Sequence, residues 1–299
     1  MANYYGIAGW SYPDWKGIVY PPDAPRGFDE LSYISNFFDV IELNNTFYRI
    51  PESKVVENWV KRVGHNQSFK FTVKIYQGFT HEQRPVDEGE LRQFYRVLDP
   101  LKKAGCLGAV LAQFPASFKN TEQGMGRLED LALRLKDYPL TVEFRHRSWA
   151  TPGVYRWLEE NAVSFCNVDE PVFQHLLRPS ALVTGPVGYV RFHGRNYASW
   201  YSKEGGRDAR YNYLYSESEL DQWIPRIQEM GKKATDVYVI GNNHFRGQAP
   251  ANILQLKAKT IQGPVNVPES MFQAFPDLEK IAVKKRKKAG QRSLFEESP

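Results

Sequence analysis

The sequence has few cysteines and no long apolar run. Among its 299 residues only Cys106 and Cys166 are cysteines, and they fall in separate predicted elements. Neither a disulfide scaffold nor a thiolate metal site is therefore supported. No uninterrupted apolar stretch is long enough to cross a bilayer, and the N-terminal segment MANYYGIAGWSY lacks the basic-then-apolar layout of a signal peptide. These absences predict a cytoplasmic protein with no membrane partner.

Most of the chain also has almost no excess of basic charge. The net charge is +5, but residues 284–299 carry six basic and two acidic side chains, which account for +4 of that total. Apolar residues become sparse after Pro276. We therefore predict one domain over residues 1–276, followed by a basic, disordered tail over residues 277–299.

Short runs rich in β-branched and aromatic residues recur along the chain, with helical patterns between most of them. Strands that alternate with helices predict repeated βα units around a parallel sheet. Eight such units, with 42% hydrophobic residues overall, favour a (β/α)8 TIM barrel of the α/β class. The predicted strands are Tyr5–Gly9, Val40–Leu43, Phe69–Ile75, Ala109–Gln113, Leu140–Phe144, Ser164–Val168, Gly188–Phe192 and Asp236–Ile240.

Polar residues share one face of several predicted strands, near the carboxyl ends where such barrels bind ligands. If these faces point inward, carboxylates and cations meet inside the barrel, in the half nearest the carboxyl ends of the strands. Buried charges need partners, so the set is either an ion-pair lattice that stiffens the barrel or a preorganised site. Its members are Glu42, Glu143, Asp169, Lys74, Arg145, Arg191, Ser11, Asn44, Gln113, Asn167, His193 and Asn242.

Two kinds of chemistry are compatible with this set. The three carboxylates, with His193 and His244, could hold a divalent metal that activates a bound water. The six histidines, however, show no metal spacing such as HExxH, and the basic residues compete for the carboxylates. Alternatively, the two arginines and the lysine bind an anionic oxygen while a carboxylate or His193 moves a proton. The cofactor is therefore left undetermined, with a metal as one alternative.

Aromatic residues follow several of the predicted strands. Side chains of this kind around a polar floor stack on a sugar or a nucleobase in many binding sites, whereas others simply cap a barrel core. The candidates are Trp10, Tyr12, Trp15, Tyr48, Trp149 and the tyrosines of the long segment after the seventh strand.

Several segments together resemble the YecE-like family, also called domain of unknown function 72. The segments are GWSYPDWKG, VIELNNTFYRIP, FTVKIYQGFTH, AQFPASF, VEFRHRSW, YVRFHGR and VIGNNHFRGQAPANILQL, and they span Gly6 to Leu256 in the family's order. The resemblance implies a TIM barrel and no established activity. The family's shared positions correspond here to Ser11, Trp15, Glu42, Asn44, Thr46, Tyr48, Lys74, His81, Gln113, Pro115, Glu143, Arg145, Trp149, Arg191, His193, Gly194, Asn242 and Asn243. The chain departs from TIM-barrel apurinic endonucleases, because its scattered histidines do not supply their trinuclear metal site.

A short motif in the tail indicates a protein partner. The segment QRSLF, from Gln291 to Phe295, resembles the glutamine-leucine-phenylalanine peptide by which bacterial replication and repair proteins dock on the sliding clamp. Gln291, Leu294 and Phe295 would be the contact residues, and a disordered tether makes such docking available. The adjoining KKRKK would add nonspecific affinity for phosphate, although a solubilising tail explains it equally.

The sequence thus favours an enzyme, in particular a hydrolase, that acts on an anionic, phosphate-containing ligand. That ligand class includes a nucleotide or a nucleic acid in DNA maintenance. Glu42, Glu143 and His193 would be catalytic. The ligand-binding residues would be Ser11, Trp15, Asn44, Tyr48, Lys74, Gln113, Arg145, Trp149, Asp169, Arg191, Asn242 and Asn243. One alternative is a carbohydrate-active hydrolase that uses Glu42 and Glu143 as its carboxylate pair, and another is a noncatalytic adaptor tethered to the clamp.

Overall fold

The computed structural model describes residues 2–200 and 209–284. Eight parallel strands close into a barrel in sequence order, with the first strand paired to the last. This arrangement confirms the predicted (β/α)8 architecture. The strands are β1 (Ala2–Ala8), β2 (Val40–Leu43), β3 (Lys70–Lys74), β4 (Leu107–Gln113), β5 (Leu140–Glu143), β6 (Ser164–Asp169), β7 (Val187–Phe192) and β8 (Asp236–Gly241).

Helices of the described ranges surround this barrel. Their apolar faces pack on the outside of the strands, and side-chain caps at Asp87, Thr121 and Thr151 mark where three of them begin. The α-helices are α1 (Glu30–Ile34), α2 (Asn45–Tyr48), α3 (Ser53–Arg62), α4 (Gln77–Thr80), α5 (Glu88–Lys103), α6 (Glu122–Arg134), α7 (Pro152–Glu160), α8 (Glu217–Asp221), α9 (Ile224–Lys233) and α10 (Gln248–Ile261). Short 3-10 helices lie at Pro13–Trp15, Arg147–Trp149, Ala209–Tyr211, Phe245–Gly247, Glu269–Met271 and Pro276–Ile281.

The lower half of the barrel interior is filled by aromatic rings. Tyr4 of β1 stacks on Tyr238 of β8 with 5.1 Å between the ring centroids, and Tyr189 of β7 lies 6.0 Å from Tyr238. These packed rings close the amino end of the barrel. Ligands can therefore approach only from the carboxyl ends of the strands, which is the usual functional face of this fold.

The connection between β6 and β7 contains turns and no helix, although all of its residues are described. On the outer face of β6, the side chain of Asn167 makes hydrogen bonds to the chain that follows this strand. Its amide Nδ2 donates to the carbonyl oxygens of Leu182 and Tyr189, at 2.9 and 3.1 Å, and its Oδ1 accepts from Ser180 Oγ at 2.6 Å. Asn167 therefore points outward, not into the barrel as the sequence analysis expected.

The packed domain extends beyond the boundary that was drawn after Pro276. Leu278 is completely buried, and the backbone nitrogen of Val283 donates to the carbonyl oxygen of Val265 at 2.9 Å. Residues 277–284, which the sequence analysis placed in the tail, thus belong to the barrel domain. No helix within the described ranges has the length and apolar composition needed to cross a bilayer.

Candidate functional site

Arg191 of β7 lies at the centre of the polar interior and binds two carboxylates. Its Nη2 donates to Oε1 of Glu42 at 2.6 Å, and its Nη1 donates to Oε2 of Glu143 at 2.7 Å. Both carboxylates are completely buried, and the arginine is 2% exposed. β2, β5 and β7 each contribute one member, because period-two alternation turns these positions inward. Arg191 therefore joins three strands through charge-assisted hydrogen bonds.

The second carboxylate oxygen of Glu42 is bound by a tyrosine that lies closer to the amino end of the barrel. The Tyr189 hydroxyl donates to Oε2 of Glu42 at 2.8 Å and lies 2.8 Å from Oγ1 of Thr72, which can donate to it in turn. Both oxygens of Glu42 are thus bound by partners from β7. An acid whose two oxygens are both bound in this way is poorly placed to exchange protons with a ligand.

Arg145, just after β5, forms the upper part of the network. Its guanidinium makes ion pairs with Glu143 and Glu170, and its Nη2 lies 2.9 Å from Nε2 of His193. The side chain of Arg145 is 16% exposed, whereas Glu143 and Glu170 are buried. Arg145 therefore connects the buried carboxylates to the solvent-facing side of the site.

Glu170 was not among the predicted site residues, and Asp169 was predicted in its place. The structure turns Asp169 away from the barrel, where Arg195 Nη2 and Trp223 Nε1 both donate to its Oδ2 at 2.6 Å. Cys166, four residues before Glu170, faces inward, with its sulfur 3.7 Å from Oε2 of Glu143. The inward face of β6 thus continues to Glu170. The placement of Asp169 in the ligand site was wrong, because its strand is buried on both faces and alternation alone does not reveal its phase.

His193 is held in one protonation state by its neighbours. Burial and the charge of Arg145 lower its pKa to about 3, so the imidazole is neutral near pH 7. A neutral imidazole has one acceptor nitrogen, and Arg145 can only donate, so Nε2 is the acceptor. Nδ1 then carries the proton and donates to the Asn242 amide, 2.9 Å away, when that amide presents its oxygen. His193 therefore orients Arg145 and is not a ready proton carrier at neutral pH.

The two inner acids differ in their affinity for protons. Burial acts to raise the pKa of Glu143, but the charges of Arg145 and Arg191 outweigh it and hold that pKa well below its usual range. Burial raises the pKa of Glu170 to about 7, with Arg145 opposing the rise and Glu143 adding to it. Glu143 is therefore ionised at neutral pH, and Glu170 is divided between its two forms.

A cavity of about 480 Å³ opens above this network at the carboxyl ends of the strands. Its volume suits a small molecule. Among the described residues the lining includes three arginines and a lysine but no carboxylate. The lining residues are Gly9, Trp10, Ser11, Tyr12, Asn44, Asn45, Tyr48, Lys74, Gln113, Arg145, Arg191, Arg210, Tyr211, Asn242 and His244.

Lys74, at the end of β3, faces this cavity. Its Nζ donates to Oε1 of Gln113 at 2.8 Å and lies 4.0 Å from the centre of the Phe47 ring. Burial and the positive charge of Arg191 lower the pKa of Lys74 to about 7, although Glu143 and Glu42 act in the opposite direction. The amine is therefore partly neutral at physiological pH.

Eight of the predicted ligand-binding residues line the cavity: Ser11, Asn44, Tyr48, Lys74, Gln113, Arg145, Arg191 and Asn242. The predicted catalytic residues Glu42, Glu143 and His193 lie beneath it, fully buried. Their hydrogen bonds and ion pairs hold Arg145 and Arg191, which line the cavity.

Three further predicted ligand-binding residues lie outside the lining. Trp15 is buried and donates through Nε1 to the carbonyl oxygen of His244 at 2.8 Å. Trp149 is buried between aromatic rings and lies 4.4 Å from the ring centre of Phe144. Asn243 donates to the carbonyl oxygen of Tyr213 at 2.8 Å. These side chains fix loops around the barrel mouth and lie outside the cavity lining, and the ligand contact expected from them stays a prediction.

The cavity lining also includes Trp10, Tyr12 and Tyr211, which the sequence analysis named only as aromatic candidates, and Arg210, which it did not name. Trp10 and Tyr12 follow β1, and Tyr12 stacks on His244 with 4.4 Å between ring centroids. Arg210 and Tyr211 come from the long segment after β7. The sequence signals were the aromatic cluster after the first strand and the length of that connection. Neither signal identifies which side chain of a loop turns inward.

A second cavity of about 570 Å³ lies beside the first, between the loop after α4 and the N-terminal part of α6. His81, Lys119 and Arg127 line it. The Phe47 ring contacts one lining residue of each cavity: it lies 4.0 Å from Nζ of Lys74 and 4.8 Å from the His81 ring.

No group of three or more histidine, cysteine, aspartate or glutamate side chains in the described ranges is arranged to hold a metal ion. The inner carboxylates are bound by arginines instead, which leaves the metal alternative without a set of ligands among these residues. The predicted clamp-binding residues Gln291, Leu294 and Phe295 lie outside the described residues.

Comparisons with known proteins agree with the resemblance seen in the sequence. Residues 4–273 match the family model described as protein of unknown function DUF72. The UPF0759 protein YunF of Bacillus subtilis is 33% identical over 271 residues, which cover 85% of this chain and 93% of that protein.

Solved structures of the same family have the same fold. A DUF72 family protein from Thermotoga maritima is 33% identical and aligns with a TM-score of 0.76 over 88% of this chain and all of that one. A DUF72 family protein from Enterococcus faecalis is 27% identical, with a TM-score of 0.77 over 89% of this chain and 98% of that one. The chain described here therefore belongs to the DUF72 family.

Proposed function

We propose that this protein is an enzyme that acts on a small, phosphate-containing ligand bound in the barrel-mouth cavity. The observation that carries this proposal is the sign of the charge around the cavity. Lys74, Arg145 and Arg210 converge on it, while Glu42 and Glu143 lie beneath the floor and are bound by arginines. Guanidinium groups bind phosphate oxygens through parallel N–H donors, and water-excluding walls strengthen such bonds.

The local charge balance supports an anionic occupant. Arg145 and Arg191 are bound by the carboxylates of Glu42, Glu143 and Glu170. No carboxylate in the described part of the chain lies within ion-pair distance of Lys74 or Arg210. Arg210 and the protonated fraction of Lys74 therefore add positive charge to the cavity lining, which favours an anion over a neutral sugar.

Polar and aromatic groups support a sugar ring or base beside the phosphate. Asn44 presents a buried Oδ1 that has no hydrogen-bond partner among the described residues, so a ligand hydroxyl would satisfy it. Tyr48 is 62% exposed at the rim, and the rings of Trp10 and Tyr211 lie nearby in the lining. Together these groups fit a phosphorylated sugar or a nucleotide.

The carbohydrate-hydrolase alternative is less well supported. Glycoside hydrolysis needs two carboxyl groups that flank an open cleft. Here Glu42 and Glu143 share one arginine and are completely buried. A link to nucleic acid or DNA maintenance rests only on the tail motif and stays a separate prediction.

Calorimetry with a matched pair of ligands tests the proposal. Ribose 5-phosphate should bind the full chain, and ribose should bind at least about 10-fold more weakly, because one charge-assisted hydrogen bond contributes about 1.5–3 kcal/mol. Arg210→Met should weaken ribose 5-phosphate binding by about 10-fold without disturbing the buried network. Arg96→Met, on the exposed face of α5, is the control.

Equal affinity for the two ligands, or equal affinity of the Arg210→Met and Arg96→Met variants, would contradict the proposal. Turnover is followed separately by 31P NMR of the bound ester. Lys74→Met should abolish any conversion that the unaltered chain carries out.

A further inference from the structure

We propose that Lys74 is a nucleophile that forms an imine with the carbonyl carbon of a phosphorylated aldehyde or ketone in the barrel-mouth cavity. This inference rests on the proposed function, since the anion-binding groups bring the ligand to the lysine. It goes further by naming the reacting atom, the covalent intermediate and the class of substrate.

The position of Lys74 is the first argument. The residue ends β3, and its Nζ donates to Oε1 of Gln113 at 2.8 Å. No carboxylate of the described residues lies within ion-pair distance of Nζ, although the charges of Glu42, on the adjacent β2, and of Glu143, on β5, act on it. Arg191 and Arg145 have already bound those acids. An amine without an acidic partner keeps its lone pair available once it loses its proton.

The surroundings of Lys74 favour the loss of a proton from its ammonium group. The amine is largely buried, and the guanidinium groups of Arg145 and Arg191 line the same cavity. Burial and neighbouring cations both destabilise the ammonium form. The resulting pKa of about 7 leaves a large fraction of the amine neutral at pH 7. Only about one ordinary lysine in a few thousand is neutral at that pH.

The other buried nucleophile near the site is excluded by its contacts. Cys166 points toward Oε2 of Glu143 at 3.7 Å and does not line the cavity. Burial and the adjacent acid raise the pKa of its thiol well above the ordinary value, so the reactive thiolate does not form.

The chemical step balances without a further reactant. The Lys74 lone pair forms a bond to the carbonyl carbon, and the electrons of the carbon–oxygen π bond move to the oxygen. The two amine protons leave with that oxygen as water, and a carbon–nitrogen double bond remains. Arg145 and Arg210 would hold the phosphate, so the carbonyl end of the ligand reaches the lysine.

Reductive trapping tests this assignment on the full chain. The probe is pyridoxal 5′-phosphate, an aldehyde that carries a phosphate, and pyridoxal is its counterpart without the phosphate. Borohydride reduction followed by peptide mass spectrometry locates the adduct. Lys103 is the internal reference, because it lies exposed at the end of α5, near the amino ends of the strands.

The expected result is an adduct at Lys74 that forms at least about 10-fold faster than at Lys103 at pH 7. The rate at Lys74 should rise through pH 7 and level off above it. Lys74→Arg should lose the adduct and keep noncovalent phosphate binding within about threefold. Lys103→Arg should leave the Lys74 adduct unchanged.

Two results separate this inference from the proposed function. If the phosphate-bearing probe binds but Lys74 is trapped no faster than Lys103, the nucleophile is refuted and the anion-binding function stands. If pyridoxal traps Lys74 as fast as its phosphate does, the nucleophile stands and phosphate recognition is refuted.

Discussion

Arg191 and Glu42 form an ion pair inside the barrel, with 2.6 Å between Nη2 and Oε1, although they lie 149 positions apart in the chain. The pair links β7 to β2 across the interior. Its second nitrogen, Nη1, extends the link to β5 through Glu143. One guanidinium therefore ties three strands together inside a barrel that strand pairing closes.

Replacement of Arg191 should lower the free energy of unfolding. Arg191→Met leaves Glu42 and Glu143 buried with fewer partners, and removal of one member of a buried pair typically costs about 3–5 kcal/mol. Urea unfolding of the variant should show a loss of that size in the free energy of unfolding. Arg96→Met on exposed α5 should change it by less than about 0.5 kcal/mol. A loss below about 1 kcal/mol for Arg191→Met would show that the network adds little to stability.

Glu170 should make stability depend on pH between 4.5 and 7. Burial raises its pKa to about 7, so in this window the folded chain holds a proton at Glu170 that the unfolded chain has released. The free energy of unfolding should therefore fall as the pH rises, by on the order of 3 kcal/mol from this group. Glu170→Gln removes that contribution. Urea unfolding at several pH values should give curves for the two proteins that converge at low pH, and parallel curves would contradict the assignment.

Asp169 should matter for stability and not for ligand binding. Arg195, Tyr215 and Trp223 all donate to its carboxylate outside the barrel. Asp169→Asn should lower the free energy of unfolding by about 2–3 kcal/mol, because it weakens a buried charged cluster. The Kd for ribose 5-phosphate should stay within threefold of the original. A large rise in Kd with little change in the free energy of unfolding would instead show that Asp169 contacts the ligand.

The tail motif gives an independent prediction about a partner. A chain that ends at residue 284 should lose binding to a bacterial sliding clamp, and Leu294→Ala with Phe295→Ala should have the same effect in the full chain. Both proteins should keep their affinity for ribose 5-phosphate. Biolayer interferometry with immobilised clamp measures the first property. Undiminished clamp binding by the shortened chain would refute the role of Gln291, Leu294 and Phe295.

The sequence predicted the barrel well, because short β-branched and aromatic runs recur between helical patterns, even though β2, β5, β6 and β7 are buried on both faces. The start of β1 at Ala2 and of β4 at Leu107 differ from the predictions by three and two residues. Strand ends are the least constrained positions, since pairing there depends on the neighbouring strand as much as on local preference.

The site was predicted less completely for two physical reasons. Adjacent acids at Asp169 and Glu170 made the phase of β6 ambiguous, because residues on both faces of this strand are buried. The tryptophans at 15 and 149 were expected to contact a ligand, but they pack into the core at the barrel mouth. Side chains such as Arg210 reach the cavity from a long connection, and local sequence carries no signal for that approach.

The ring of Phe47 contacts one lining residue of each of two neighbouring cavities. Lys74 lines the space of about 480 Å³ and His81 the space of about 570 Å³, and Phe47 lies 4.0 Å from the Lys74 amine and 4.8 Å from the His81 ring. We therefore expect a smaller side chain at position 47 to change the shape of both spaces at once, without any change to the buried ion pairs of Arg191.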